Sequence, residues 1–323
     1  LHYKTGNIAF FAENRWMLTK KFSINTGFRT EVGQTDMTGT ITYYPENEIP
    51  NQISHKFPLF GISGQYNIAG TMNIYGGWSQ AYRQVIFKDI IPASVFEVSD
   101  KNLKDAYGSN SELGFRGTWK SLKWDATGFY LKYDNRLGTL AQSDNSGNLI
   151  IYRTNIGDSR TKGIEIFLQN DIYKGHKSSI SMFTSTSYMD ATYQNATVRS
   201  DNKNVHIDGN KVESVPALMS RNGITYKCGN ISTSVLYSYT SESFADALNA
   251  IKPSATGATG LVPSYQLFDL NLAVRVSKQV KVQINANNVF NEIYFTKRPQ
   301  FYPGPGIWPS DGRTFSGTVS IKL

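Results

Sequence analysis

The sequence predicts an all-β protein, a transmembrane antiparallel up-and-down β-barrel, and three observations carry that prediction. Apolar and polar residues alternate along most of the chain, with no convincing helical period competing. About 13 alternating stretches exceed the five to six residues usual in globular sheets, and they satisfy the roughly nine to eleven that a tilted transmembrane strand needs. Short connections and long polar ones take strict turns, as expected of a barrel with tight turns at one rim and long loops at the other. A soluble sandwich with Greek-key crossings would not keep this order.

In chain order the candidate strands lie near residues 8–18, 21–35, 56–68, 71–84, 110–120, 122–137, 160–171, 177–193, 214–227, 230–245, 264–276, 280–296 and 314–323. Tight turns are expected at LTKK (18–21), NIAG (67–70), WKSL (119–122), YKGH (173–176), KCGN (227–230) and VSKQ (276–279). Long loops are expected near 36–55, 85–109, 138–159, 194–213, 246–263 and 297–313. With turns in the periplasm, the loops lie outside the cell.

Strand polarity assigns the faces, because successive side chains of an extended chain point to opposite sides. In FSINTGFRTEV, Phe22, Ile24, Phe28 and Val32 oppose Ser23, Asn25, Arg29 and Glu31. In FDLNLAVRV, Phe268, Leu270, Leu272 and Val274 oppose Asp269, Asn271, Ala273 and Arg275. In VKVQINANNVF, Val280, Val282 and Ile284 oppose Lys281, Gln283 and Asn285, and in the closing TFSGTVSIKL, Phe315, Val319 and Ile321 oppose Ser316, Thr318 and Ser320. The uncharged faces are expected to meet lipid and the charged faces a wet or plugged lumen. Trp16, Trp78, Tyr82, Tyr237, Tyr239 and Tyr294 near strand ends fit aromatic girdles at the membrane surfaces.

Composition narrows the function. Of 323 residues 40% are hydrophobic and 13% aromatic, while 18% are charged, below the roughly 25% of a soluble domain. The single cysteine, Cys228, excludes an internal disulfide and belongs to no metal-spaced cluster. The formal charge of +8 is scattered and not gathered into a stripe, which argues against nucleic acid. There is no run of 18 apolar residues for a transmembrane helix, and the start LHYKTGNIAF lacks the regions of a signal peptide. Neither fact speaks against a barrel. His2, His55, His176 and His206 stand in no metal or triad spacing, and no nucleophile, zinc or phosphate-loop motif occurs, so neither catalytic residues, a resident metal nor a cofactor is expected. Asp201, Asn204, Asp208 and Asn210 offer oxygen ligands for calcium, but off the EF-hand spacing, and a solvated loop is the plainer reading.

An odd strand count carries an expectation of its own. Bacterial barrels are even-numbered with both termini in the periplasm, so the chain is expected to be the C-terminal part of a longer barrel that begins outside the cell. Alone it should not insert stably, since both edges would expose unpaired backbone to lipid.

At the C-terminal third the sequence NNVFNEIYFTKRPQFYPGPGIWPSDGRTFSGTVSIKL (287–323) resembles the closing strand pair of TonB-dependent outer-membrane receptors. YPGPG before DGR looks like the ferric dicitrate type. FSINTGFRTE (22–31), IYGGWSQAYR (74–83), NIGDSRTKGIE (155–165), SESFAD (241–246) and PSYQLFD (263–269) resemble further elements of that family, in order over nearly the whole chain. The resemblance implies a barrel of about 22 strands, roughly nine of them preceding this chain, around a plugged lumen. It also implies an outer-membrane location in a Gram-negative bacterium, contact with lipid and lipopolysaccharide, and import driven from the inner membrane through TonB, ExbB and ExbD. The family's plug and TonB-contacting box do not occur in this sequence, and Leu323 stands where the family often ends in an aromatic residue.

A ferric chelate with citrate-like ligands is small and anionic, and capturing it calls for guanidinium forks. Arg83 falls at the outer end of its strand on the side of Asn73, Tyr75, Ser79 and Ala81, hence toward the lumen; Gln84, Arg153, Arg160, Lys162, Arg298 and Arg313 in the outer loops are the other candidates. Loop charges of this kind also suit lipopolysaccharide phosphates. The inward charges Arg29, Glu31, Glu165, Asp269 and Arg275 need partners or water and are expected to contact the plug. Two other readings stay open: a passive channel for small anions, and a non-transporting surface-binding barrel.

Overall fold

The computed structural model describes residues 1–41, 51–92, 96–143, 149–299 and 305–322. Leu323 and the first three residues of YPGPG lie outside them. Thirteen long strands form one sheet in chain order: β1 (His2–Met17), β2 (Phe22–Thr38), β3 (Gln52–Ala69), β4 (Met72–Arg83), β5 (Ala106–Trp119), β6 (Leu122–Ser143), β7 (Leu149–Lys174), β8 (Ser178–Gln194), β9 (Leu218–Cys228), β10 (Ile231–Thr240), β11 (Tyr265–Arg275), β12 (Val280–Asn287) and β13 (Thr314–Ile321). Every neighbouring pair is antiparallel. β1 and β13 are edges that do not pair with each other, so the sheet is open. Strand number, order and direction are those expected from the alternation.

Side-chain hydroxyls close two of the tight turns. Thr19 Oγ1 accepts from the Lys21 and Phe22 amides, and Ser277 Oγ accepts from those of Gln279 and Val280, satisfying donors that a sharp reversal leaves unpaired. At KCGN the reversal uses Gly229 at φ 55°.

Directly opposed residues share a face, so the register carries polarity across the sheet. Arg29, Gln65, Tyr75, Arg116, Asp125, Glu165, Arg221, Asn271 and Gln283 fall on one side. Ile8, Ile62, Leu113, Ile164, Ile224, Leu270 and Val319 fall on the other, and Ile8 is 80% and Leu113 65% exposed. Covering one such side chain is worth roughly 1.5–3 kcal/mol. A face carrying this many uncovered aliphatics has its stable place in an apolar solvent, as in a membrane barrel.

Most of the buried apolar residues lie elsewhere, toward the long-loop end of the sheet. Tyr193, Ala196, Ile207, Val212 and Ile156 form one cluster, and Met37, Ile41 and Phe87 another. The second cluster holds a single helical turn, α1 (Phe87–Ile90), against the inner face of β1 to β3.

Four expectations need correction. β6 and β7 continue past the expected loop at 138–159, pairing from Leu137 with Asn155 to Ser143 with Leu149 after a bulge at Tyr133/Arg136. Backbone pairing does not require apolar alternation, so the polar residues there hid the strand. The 194–213 loop contains a hairpin, Thr197–Ser200 with Lys203–His206. β12 stops at Asn287 because Asn288 and Asn291 turn left-handed, φ 49° and 56°, a conformation that asparagine tolerates. Finally, two girdle candidates serve the outer mouth instead: Tyr82 stacks on Phe57 with ring centroids 3.5 Å apart, and Tyr294 packs on the inward Tyr265 at 4.5 Å. Trp16, by contrast, points outward and donates to Thr26 Oγ1 at 3.1 Å.

Candidate ligand vestibule

The connection between β4 and β5 builds the site by folding inward. Its first anchor is Asp105, which accepts from the Tyr82 hydroxyl at 2.6 Å and the Val85 amide at 2.7 Å. α1 is fixed next, since Arg83 Nη2 reaches both carboxylate oxygens of Asp89 at 3.0 Å. Beyond it, Glu97–Ser99 runs parallel to Ile151–Arg153 of β7. Arg153 binds Glu97 at 2.5 Å and donates to the Lys88 carbonyl at 2.6 Å. Asp100 accepts from the Thr154 hydroxyl at 2.7 Å, and Asn155 pairs with both backbone groups of Lys104. Burial pushes the Asp100 carboxyl up, but the Thr154 hydroxyl, the Asn102 amide and Tyr152 outweigh it and hold the group below the ordinary carboxylate range.

Between this strap and the wall of β1 to β3 lies a cavity of about 660 Å³, within the roughly 300–1,000 Å³ range of small-molecule sites. Tyr3, Thr35, Ile53 and His55 line it from the wall, and Gln84, Val85, Phe87, Lys88 and Ile91 from the strap.

Of the seven expected ligand contacts, Gln84 and Arg153 line the cavity and Arg83 is bound to Asp89 of the strap; Arg153 Nη1 is also 3.4 Å from the Asp89 carbonyl. The two arginines are already held by carboxylates of the strap. Arg160, an outer-loop candidate, falls on the outward side with Ile164 and binds Asp134 at 2.6 Å, away from this cavity. Lys162 shares that side and pairs with Asp190 at 3.7 Å. Arg298 donates to the carbonyls of Leu261 and Gly257 at 3.0 and 2.8 Å, tying two outer loops together. Arg313 uses its amide to reach Asn291 at 2.9 Å. Sequence reasoning missed His55, Phe87, Asp89 and Glu97, which the folding of the strap onto the sheet brings to the site.

The inward charges divide in the same way. Arg29 and Glu31 bind each other at 2.6 Å, with Asn7 also donating to Glu31. Asp269 accepts the Asn288 amide at 2.8 Å and so ends β12. Glu165 forms no ion pair among the described residues, and Arg275 stands opposite Lys281.

The calcium candidates do not converge. Asn204 bonds both backbone groups of Ala141, Asn210 donates to the Ala247 carbonyl, and Asp208 accepts the Ala196 amide. No metal-holding group of His, Cys, Asp and Glu occurs among the described residues. The Ala196 amide is the main reason that the Asp208 carboxyl sits below its usual range; burial opposes it, and the Asn195 amide and His206 add to it. A depressed carboxyl pKa gives stability above the unfolded value that is lost as pH falls through the folded one. The Ala196 amide is therefore expected to keep its exchange protection at neutral pH and to lose it below about pH 4, read by hydrogen exchange corrected for the intrinsic rate. Protection of the Ala196 amide that is no weaker in Asp208→Ala than in the unaltered chain would refute the role of Asp208.

The family profile described as TonB dependent receptor-like, beta-barrel matches residues 2–289. Among solved structures, the ferric citrate transporter FecA in its unliganded form superposes with a TM-score of 0.77 at 21% identity, over 99% of this chain and 45% of that one. The siderophore receptor PiuA from Acinetobacter baumannii gives 0.76 at 18%, over 99% and 43%. The copper transporter OprC gives 0.74 at 17%, over 98% and 48%. This chain thus spans less than half of each of these structures, and at such identities the likeness is one of fold.

Proposed function

The chain belongs to the TonB-dependent receptor-like β-barrel family, and from that premise we propose that it is the C-terminal part of an outer-membrane receptor that imports a ferric chelate, energised through TonB. The observation that carries this reading is the inward strap, which forms a ligand-sized cavity over the charged face of the sheet. In this reading the unpaired edges of β1 and β13 join the remaining strands of the barrel. Glu165, Arg275 and Lys281 then face the plug, whose charges would complement them.

Ferric dicitrate and siderophores both fall within the proposal. Arg83 and Arg153, the guanidinium groups nearest the cavity, are engaged by Asp89 and Glu97, which favours a chelate with fewer carboxylates. A second reading, a passive channel for small anions, draws on the same strap, because a fixed inward loop also narrows a pore.

Uptake of radiolabelled iron by iron-starved cells separates the two. Cells with the intact gene are expected to take up ferric chelate, while cells lacking either the gene or TonB are not. Uptake that persists without TonB would sink active import and favour the channel.

A further inference from the structure

The rim formed by the tight turns carries charge of one sign. The turns at 18–21, 67–70, 119–122, 173–176, 227–230 and 276–279 hold six lysines, Lys20, Lys21, Lys120, Lys174, Lys227 and Lys278, and no aspartate or glutamate. All six are exposed, and none is in an ion pair among the described residues. The ion pairs lie instead in the strand wall and toward the long loops, where carboxylates such as Asp89, Glu97, Asp134 and Asp190 neutralise the cations. Charge is thus separated along the strand axis.

A belt of aromatic side chains borders the same rim on the outward face. Trp16 stands outward just before the first turn, Tyr66 lies opposite the outward Phe22, and Trp119 shares the side of Leu113. Tyr173 and Tyr226 both stand opposite Ile180, on the side of Ile224. All five are exposed. Amphipathic rings at the end of an apolar face mark where hydrocarbon gives way to headgroups. Lysines in the turns that follow therefore reach the headgroup layer, their stems along the apolar face and their ammonium groups in water. Lys120 shows this directly, with its Nζ 4.9 Å from the centroid of the outward Trp119 ring. Lys20 and Lys278 each follow an exposed apolar residue, Leu18 and Val276, and Lys174 follows Tyr173. Lys227, by contrast, falls on the luminal face with Arg275 and Lys281 and does not belong to this belt.

Cations spaced turn by turn around a rim, each beside an apolar or aromatic side chain, match a layer of small anionic amphiphiles. An acidic protein would call for a gathered patch instead. Resting on the outer-membrane barrel reading, we infer that the tight-turn rim selects anionic phospholipid. The ammonium groups of Lys20, Lys120, Lys174 and Lys278 hold headgroup phosphates, and the acyl chains lie against Trp16, Trp119 and Tyr173.

The test uses the full-length receptor in detergent with equal amounts of phosphatidylglycerol, which is anionic, and phosphatidylcholine, which is zwitterionic, of the same acyl chains. Native mass spectrometry reads which lipid stays bound. Phosphatidylglycerol is expected to be retained at least about fivefold over phosphatidylcholine, the ratio that about 1 kcal/mol for one lysine at an anionic surface corresponds to. Combining Lys20→Gln, Lys120→Gln, Lys174→Gln and Lys278→Gln is expected to bring the ratio near one with the melting temperature unchanged. Lys101→Gln with Lys203→Gln, at exposed positions of the long-loop end, is expected to leave the ratio as it was. Equal retention by the unaltered receptor, a preference that survives the fourfold rim variant, or one that the long-loop variant lowers as much would each overturn the inference. Equal retention together with lysine-dependent binding of polyglutamate would overturn it too, assigning the rim to an acidic partner protein. The importer reading is decided separately, by TonB-dependent uptake of iron; a receptor found outside the membrane fraction would sink both.

Discussion

Replacing Gly157 with alanine is expected to detach the outer hairpin from the barrel wall. Gly157 has φ +139°, which an L side chain rarely adopts, so the substitution stores about 1–3 kcal/mol of backbone strain. Its new Cβ would also stand 2.5 Å from Ala196 Cα and 2.6 Å from the Asn195 carbonyl oxygen. These are backbone atoms that cannot rotate away, and overpacking of this kind adds roughly 1–3 kcal/mol. The cheapest relief is to lift residues 195–196, which opens the cluster of Ile156, Tyr193, Ala196, Ile207 and Val212. Hydrogen exchange in the full-length receptor should show faster exchange across residues 194–212 and little change in β1 to β5. An unchanged exchange pattern would mean that this contact does not hold the hairpin down.

Arg153→Ala is expected to release the strap. Glu97 is 8% exposed as a residue and binds Arg153 at 2.5 Å, and breaking a buried ion pair costs up to about 3–5 kcal/mol. The Lys88 carbonyl loses its donor at the same time. Protease cleavage within residues 84–105 should rise sharply while the strands stay protected. Adding Glu97→Leu should recover part of the loss, since an apolar side chain takes the place of a buried carboxylate whose cation has gone. If the double variant is cleaved as readily as Arg153→Ala, the ion pair is not what holds the strap.

The comparison of sequence with structure turns on how far apart the interacting groups lie. At FSINTGFRTEV, each side chain's face follows from its own backbone, so Phe28 outward and Arg29 inward could be read directly. The tight turns were legible for the same reason, as Thr19 and Ser277 cap amides two and three residues away. β6 and β7 were cut short because residues 137–143 pair with residues 149–155 through their backbones, and that pairing leaves no alternating trace. His55 read as an unremarkable histidine in a loop; its burial depends on Gly33 across the sheet and on a strap that belongs to another connection.

By itself the sequence determined the number and order of the strands and their two faces, since a period of two and the turn chemistry act between near neighbours, and the resemblance of its motifs pointed to the family. The tertiary structure decided which charges are free. Arg83 and Arg153 look alike as outer-rim arginines waiting for an anion, yet Asp89 and Glu97 already occupy both. An ion pair forms wherever the folded chain brings opposite charges within a few ångströms, and burial strengthens it by excluding water. Neither pair stands at a spacing that a local pattern records: Arg83 and Asp89 meet across the turn into α1, and Arg153 and Glu97 come from separate segments.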